Sequence, residues 1–77
     1  MELDTDRIDD AVLGLLYLNA IQTGWVWKGF DWAAMDRLHQ KGLISNPVGK
    51  AKSVAFTEEG EKAAKQVFQR LFAKGGA

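Results

Sequence analysis

The sequence predicts an α+β fold, in which three main helices alternate with short strands in the order α-β-α-β-β-α. Three stretches carry apolar residues at helical spacing, and each follows a side chain that favours the start of a helix. A run of aromatic and β-branched residues after the first stretch indicates a strand. Two more strand-like runs flank the turn sequence Asn-Pro-Val-Gly at 46–49.

Length and composition place the chain among single-domain globular proteins. With 77 residues it forms one predicted domain, 1–77, whose ends at 1–3 and 73–77 we expect to fray. The hydrophobic fraction of 47% and the charged fraction of 26% are typical of a folded domain. Because the chain has no cysteine, apolar packing must hold the core together without disulfides or thiolate–metal bonds.

Neither a targeting segment nor a membrane span is expected. The first ten residues hold five carboxylates and one arginine, whereas a signal peptide begins with positive charge. The apolar run at 11–18 is far shorter than the roughly 20 residues that cross a bilayer. We therefore expect a soluble protein with no membrane partner, and the lack of cysteine fits a cytoplasmic location.

The net charge of zero conceals an asymmetry along the chain. Residues 1–36 carry seven acids and two bases, whereas residues 37–77 carry eight bases and three acids. Such asymmetry can mark a half of the molecule that faces a polyanion. The alternative is that each helix places acids at its start and bases at its end, as the helix dipole favours, and much of the pattern follows that rule.

The first helix should begin at Asp4, whose carboxylate can accept hydrogen bonds from the first turn. Its later carboxylates fit the positive end of a helix better than a calcium loop, which needs a turn glycine and a terminal glutamate. The second half of the helix is apolar on nearly every side, so we predict a homodimer or partner surface there. The alternative is that the tryptophan segment folds over it. The predicted surface comprises Leu13, Tyr17, Leu18 and Ile21.

A strand is predicted at 25–29, directly after the helix break at Gly24. It contains Trp25 and Trp27, and the third tryptophan, Trp32, follows closely. If exposed, these three side chains could form a stacking platform for bases or for a peptide. Burial preferences instead favour a place in the core, because a small domain needs the apolar mass.

The middle helix has clear ends in the sequence. Asp31 caps its start, and Gly42 ends it in a Schellman turn that brings Leu43 back onto Leu38. The spacing predicts three side chains that face the core, Trp32, Met35 and Leu38. The side chains left for solvent or for a ligand are Ala33, Ala34, Arg37, Gln40 and Lys41.

Two short antiparallel strands are predicted at 43–45 and 52–56, with Val54 and Phe56 on the core face. Thr57 then caps the last helix, whose first turn is acidic. The apolar residues of this helix form a narrow stripe that should pack on the core: Ala64, Val67, Phe68, Leu71 and Phe72.

Residues 35–60 resemble the helix, the wing and the following helix start of winged-helix regulators of the MarR and PadR type. The matching positions are Leu38 with 42–44 at the helix exit, Lys50 and Lys52 in the wing, and Val54, Phe56, Thr57 and Gly60 after it. The resemblance implies a winged-helix-like domain with a two-stranded β wing, to which the residues themselves add a short tryptophan strand. The whole chain is also similar to a family of small bacterial proteins of unassigned function.

The winged-helix resemblance leads to a first functional hypothesis, a nucleic-acid-binding or transcription-regulatory module. Lys50 and Lys52 would contact phosphates from the wing, while Arg37, Gln40 and Lys41 would approach the major groove of duplex DNA. The chain departs from this family in four ways. The would-be recognition helix carries Asp31 and Asp36 near its start, and Val48 stands where the wing usually has an aspartate. A strand precedes the middle helix where a supporting helix is expected, and the sequence pI of about 6.5 is below the range of dedicated DNA-binding domains.

The second hypothesis is a protein-interaction or dimerisation module that has the winged-helix shape but does not bind DNA. The acidic start, the apolar helix and the aromatic strand would be its contact surfaces. Catalysis is not expected, because the chain lacks a cysteine nucleophile and a phosphate-binding loop, and its one histidine, His39, should be solvated at a helix end. We likewise predict no cofactor, no metal and no small-molecule substrate.

Overall fold

The computed structural model describes residues 1–27, 29–48 and 53–74. Along this part of the chain the elements are α1 (Thr5–Thr23), β1 (Val26–Trp27), α2 (Trp32–Gln40), β2 (Ser53–Val54) and α3 (Glu58–Phe72). The predicted α+β class is confirmed, and the fold is mostly helical, since the strands contribute only two residues each.

The strands are shorter than predicted and pair differently. β1 lies antiparallel to β2, with Val26 opposite Val54. An isolated bridge joins Ile44 to Phe56, where a hairpin between strands at 43–45 and 52–56 was expected. A two-stranded wing is therefore not shown, because the described residues of β2 pair with the tryptophan strand rather than with the segment after α2.

The winged-helix fold is accordingly not shown by the described residues. Residues 49–52 of the predicted wing lie outside them, and these include Lys50 and Lys52. The part that is described is a three-helix unit with a two-stranded sheet at one side.

Side-chain caps begin all three helices of the described chain, at the predicted residues. The Asp4 carboxylate accepts a hydrogen bond from the Arg7 amide over 3.1 Å. Asp31 accepts from the Ala34 amide over 3.1 Å, and the Thr57 hydroxyl oxygen accepts from the Gly60 amide over 2.9 Å. Each bond satisfies a backbone N–H that has no partner within its own helix.

The predicted Schellman turn at the end of α2 is also confirmed. Gly42 has φ of 77°, a left-handed conformation that glycine adopts without a steric penalty. Its amide donates to the His39 carbonyl over 2.9 Å, and the Leu43 amide donates to the Leu38 carbonyl over 3.0 Å. The turn sends the chain back across the core, where Ile44 is buried.

The core lies between α1 and the two other helices. It consists of Val12, Leu13, Leu16, Ala34, Met35, Leu38, Ile44, Val54, Ala64 and Val67. Two predictions need correction here. Leu13 belongs to this core rather than to a surface for a partner, since it projects between the packed helices. Ala34 is buried instead of solvated, because it lies four residues before Leu38 on the face that α2 turns to the core.

The expected burial of the tryptophans is wrong for two of them. Trp25 is 63% exposed and Trp32 is 70% exposed. Trp32 occupies the first position of α2, ahead of the face at Ala34 and Met35 that contacts the core. Smaller aliphatic side chains therefore fill the interior, and the indole rings remain at the surface.

The apolar stripe of α3 is only partly covered. Ala64 and Val67 are buried as predicted, and Phe68 packs against Tyr17 with ring centroids 5.3 Å apart. Leu71 and Phe72, at the end of the stripe, are 46% and 44% exposed. None of the helices in the described residues is both long and apolar enough to cross a membrane.

Candidate functional site

The most unusual polar residue of the structure is Asp9, in the second turn of α1. It is 1% exposed, and it is the one charged side chain among the buried residues that the structure describes. Asp9 precedes Val12, Leu13 and Leu16 by three, four and seven residues, so it lies on the apolar face of its helix. A carboxylate in this position needs charged partners, because an unpaired buried charge is very costly.

Two cations from α2 and the residue after it supply those partners. The Arg37 Nε atom lies 2.9 Å from both carboxylate oxygens of Asp9, and Arg37 Nη2 lies 2.8 Å from Oδ1. The Lys41 Nζ atom donates to Asp9 Oδ2 over 3.0 Å and reaches Asp6 Oδ1 at 3.5 Å. Arg37 and Lys41 are four residues apart, so one turn of helix presents both to the same carboxylate.

The pKa values of this cluster follow from its geometry. Burial alone would raise the pKa of Asp9, but hydrogen bonds and positive charge from Arg37 and Lys41 outweigh burial and lower it below its ordinary 3.8. The hydrogen bond of Arg37 to Asp9 raises the pKa of Arg37, and the separate hydrogen bond of Lys41 to Asp9 raises the pKa of Lys41. All three groups therefore stay charged at neutral pH, and the cluster acts as a clamp between α1 and α2.

Three of the five residues predicted to bind nucleic acid lie in the part of the chain that the structure describes, and each of these three contacts a carboxylate. Arg37 and Lys41 are engaged by Asp9. Gln40 points away from them and donates to the Asp36 carboxylate over 2.9 Å. Lys50 and Lys52 lie outside the described residues. The role of these five side chains in nucleic-acid binding stays a prediction.

The predicted partner surface on α1 is also divided. Leu13 is in the core, and Tyr17 packs between Phe56 and Phe68, with ring centroids 6.4 and 5.3 Å away. Leu18 is half-buried, and Ile21 is exposed. Fewer of these four side chains are therefore accessible to a partner than the sequence indicated.

Three exposed apolar residues lie before and after β1 along the chain. We call them together the aromatic segment: Ile21, Trp25 and Trp32. The backbone at Trp25 is held by Thr23, whose hydroxyl oxygen accepts from the Trp25 amide over 3.2 Å. The backbone at Trp32 is held by the Asp31 cap. The backbone beside both indoles is thus hydrogen-bonded, although both tryptophans are largely exposed.

The sequence suggested that His39 is solvated at the end of α2, but the structure gives its side chain a partner. Its Nδ1 atom lies 3.1 Å from the Ile44 carbonyl oxygen, and the residue is half-buried. In the part of the chain that the structure describes, no group of three metal-ligating side chains comes together.

Sequence reasoning missed Asp9 and the exposure of the two tryptophans. The spacing of Asp9 carried a signal, since Asp9 shares the helical face of Val12 and Leu16. This spacing distinguishes it from the other carboxylates at the start of α1. For Trp25 and Trp32 no local signal existed. Their exposure depends on where the helices pack.

The sequence pattern of a family described as Domain of unknown function (DUF6429) matches residues 4–74. The chain is also similar to a bacterial protein, the uncharacterized protein y4hR of Sinorhizobium fredii. The two are 53% identical over 74 residues, which cover 96% of this chain and 100% of the relative. No solved structure matches the chain.

Proposed function

This chain belongs to the family described as a domain of unknown function (DUF6429), and from its geometry we propose that it is a non-catalytic protein-interaction module. One observation carries the proposal. Trp25 and Trp32 are 63% and 70% exposed. Large exposed aromatic side chains are a common mark of binding surfaces.

The aromatic segment has the properties of a binding anchor. Tryptophan dominates the free energy of many protein interfaces, because one side chain buries a large apolar area with only two rotatable bonds. The Thr23 and Asp31 contacts hold the backbone on either side of the indoles. Such pre-organisation lowers the entropy lost on binding. More of the free energy gained by burying the indoles in a partner's apolar pocket then remains as affinity.

A protein partner fits this segment better than a nucleic acid does. Stacking on bases needs aromatic rings beside cations that are free to contact phosphates. Arg37 and Lys41, the described cations from the predicted DNA-binding set, are held by Asp9. The residue before Trp32 is a carboxylate, Asp31, which would repel a phosphate backbone. These contacts favour the second of the two functional hypotheses.

The test begins with affinity capture, in which the wild-type chain is compared with a double variant, Trp25→Ser with Trp32→Ser. Any protein retained only by the wild type is then purified and titrated against both forms by calorimetry. We expect the double variant to bind at least about tenfold more weakly, as loss of tryptophan anchors does elsewhere. Val48→Ser is the matched control, since Val48 is an exposed apolar residue that does not belong to the segment.

Two results would overturn the proposal. One is a purified partner that binds the wild type and the double variant equally. The other is binding of duplex or single-stranded nucleic acid that is lost with the tryptophans, which would restore the nucleic-acid hypothesis. Circular dichroism checks that the variants fold, and both exposed positions should tolerate serine.

A further inference from the structure

The exposed side of α2 carries a carboxylate one turn after the tryptophan that begins this helix. Trp32, Asp36 and Gln40 follow one another at intervals of four residues, so they lie along one side of the helix. All three residues are exposed. We call them together the α2 outer stripe: Trp32, Asp36 and Gln40. The stripe places a negative charge beside the apolar surface of the indole.

The Asp36 carboxylate has no cation beside it among the described residues. Its Oδ2 atom accepts a hydrogen bond from Gln40 Nε2 over 2.9 Å, and the amide of glutamine is neutral. The ion pairs of the described chain use other carboxylates, those of Asp4, Asp6, Asp9 and Asp10. Asp36 can therefore pair with a cation that a partner brings.

Asp31 adds a second carboxylate directly before Trp32. Its Oδ2 atom accepts from the Ala34 amide over 3.1 Å, and the residue is exposed. Asp31, too, makes none of the ion pairs of the described chain. Trp32 thus has a carboxylate immediately before it and another one turn after it.

The cations of α2 and of the residue after it are used inside the domain. Arg37 and Lys41 both contact the buried Asp9 of α1. They therefore belong to the side of α2 that faces α1, whereas Asp36 belongs to the exposed stripe. This division leaves the charge of the outer stripe negative.

A carboxylate next to an exposed indole is suited to a cation. The face of an indole ring attracts an ammonium or guanidinium group that lies within about 6 Å of the ring centroid. The Cβ atoms of residues four apart on a helix, as Trp32 and Asp36 are, lie about 5–6 Å from each other. One cation can therefore contact both side chains. Arginine fits best, because its planar group stacks on a ring while its N–H groups donate to a carboxylate.

We propose that the α2 outer stripe binds a basic segment of a partner protein, in which an arginine lies on the Trp32 ring and donates to Asp36. The proposal rests on the interaction module proposed above and gives its partner a chemical class. Charge complementarity carries it, since Asp31 and Asp36 attract a basic segment and repel an acidic one.

Two synthetic peptides test the preference for charge. One is Gly-Arg-Ala-Arg-Ala-Arg-Gly with blocked ends, and the other has glutamate in place of each arginine. Titration is followed by the NMR signals of the indole N–H groups and the backbone amides. We expect the arginine peptide to shift the signals of Trp32 and Asp36 with a dissociation constant of about millimolar, because exposed cation–π contacts and ion pairs are weak. The glutamate peptide should leave these signals in place.

Asp36→Asn tests whether the carboxylate takes part. The substitution removes the charge but keeps the size of the side chain, so it should weaken binding of the arginine peptide about two- to fivefold. Glu59→Gln is the matched control, because it removes one exposed carboxylate from α3 and should leave the affinity unchanged. Equal shifts with both peptides, or an Asp36→Asn protein that binds the arginine peptide as tightly as the wild type, would overturn the proposal.

The partner purified by affinity capture distinguishes this proposal from the one on which it rests. If the Trp25→Ser and Trp32→Ser double variant binds that partner more weakly but Asp36→Asn does not, the interaction module stands and the basic segment is wrong. If neither protein binds it more weakly, the interaction module is wrong as well. Weaker binding by both, with Glu59→Gln unaffected, is the expected result.

Discussion

At the scale of single residues, Asp9 determines how α1 and α2 meet. Its carboxylate is buried, and its hydrogen bonds come from Arg37 and Lys41. A shift of α2 by one residue would move both cations away from the carboxylate and leave its charge buried without a partner. Because that outcome costs several kcal/mol, the pair of contacts selects one packing arrangement of the two helices.

We expect Asp9→Asn to lower the free energy of unfolding at pH 7 by about 2–4 kcal/mol, because the substitution removes the only described negative charge buried beneath Arg37 and Lys41. This loss should be smaller than the loss on removing one partner of a fully buried ion pair, since both cations are partly exposed and can regain water. Urea denaturation followed by circular dichroism measures it. Asp6→Asn is the control and should change stability by less than about 1 kcal/mol, as its carboxylate is well exposed.

The same pair of proteins gives a pH signature. The pKa of Asp9 is lower in the folded chain than its ordinary 3.8, so its contribution is complete above that value and is lost as the pH falls through the folded pKa. The stability difference between wild type and Asp9→Asn should therefore narrow in acid below about pH 4. Two stability curves that remain parallel down to pH 2 would show that Asp9 does not stabilise the fold through its charge.

The contrast between Asp9 and the helix caps shows what the sequence can reveal about a residue. Asp4, Asp31 and Thr57 were identified correctly, because a cap needs only the backbone of the following turn. Asp9 and Trp32 have environments that depend on helices distant in the chain. Average burial preferences assign the wrong side to both, since a carboxylate is usually outside and a tryptophan usually inside.

At the scale of elements, the junction between α2 and α3 is a close backbone contact between Gly60 and Leu43. The Thr57 hydroxyl accepts from the Gly60 amide over 2.9 Å and donates to the Gly42 carbonyl over 2.6 Å. The Thr57 amide donates to the Leu43 carbonyl over 3.0 Å. One residue thus caps α3 and ties it to the turn that ends α2.

Gly60→Ala tests this close approach. A Cβ atom at Gly60 would lie 1.6 Å from the Leu43 carbonyl oxygen, so the first turn of α3 would have to move away from the turn after α2. Alanine favours a helix by up to about 1 kcal/mol over glycine, yet we expect a net loss of at least about 2 kcal/mol. Thermal denaturation measures the change.

The matched control for Gly60→Ala is Gln66→Ala, at an exposed position of the same helix. It should be neutral or slightly stabilising, because it changes helix propensity without a steric conflict. A Gly60→Ala protein as stable as this control would mean that the backbone at Leu43 moves freely. The clash with Leu43 would then not be the reason for glycine at this position.

The elements themselves could be predicted better than their pairing. Helical spacing and caps located α1, α2 and α3, because these signals are local. Residues 53–54 were correctly given a strand, but its described partner is β1 rather than the segment after α2. Strand pairing depends on contacts far apart in the chain, and two-residue strands carry too little pattern to specify a partner.

At the scale of the whole molecule, part of the charge asymmetry of the sequence is used in contacts between the helices. The acidic first half of α1 lies against the basic ends of the other helices, through Asp9 with Arg37 and Lys41 and through Asp10 with Arg70. The arrangement also places the positive end of the α1 dipole near the negative ends of α2 and α3. The separation of charge along the sequence therefore describes how the helices assemble more than what the molecule faces.

This arrangement leads to an expectation for nucleic acid. We predict no measurable binding of a mixed-sequence DNA duplex near 50 mM salt by fluorescence anisotropy, because non-specific binding at low salt requires several cations free to replace counterions. Arg37, Lys41 and Arg70 are already paired with carboxylates. Binding whose logarithmic salt slope falls by about two when Lys50 and Lys52 are both changed to alanine would contradict this prediction, because it would assign two phosphate contacts to those lysines.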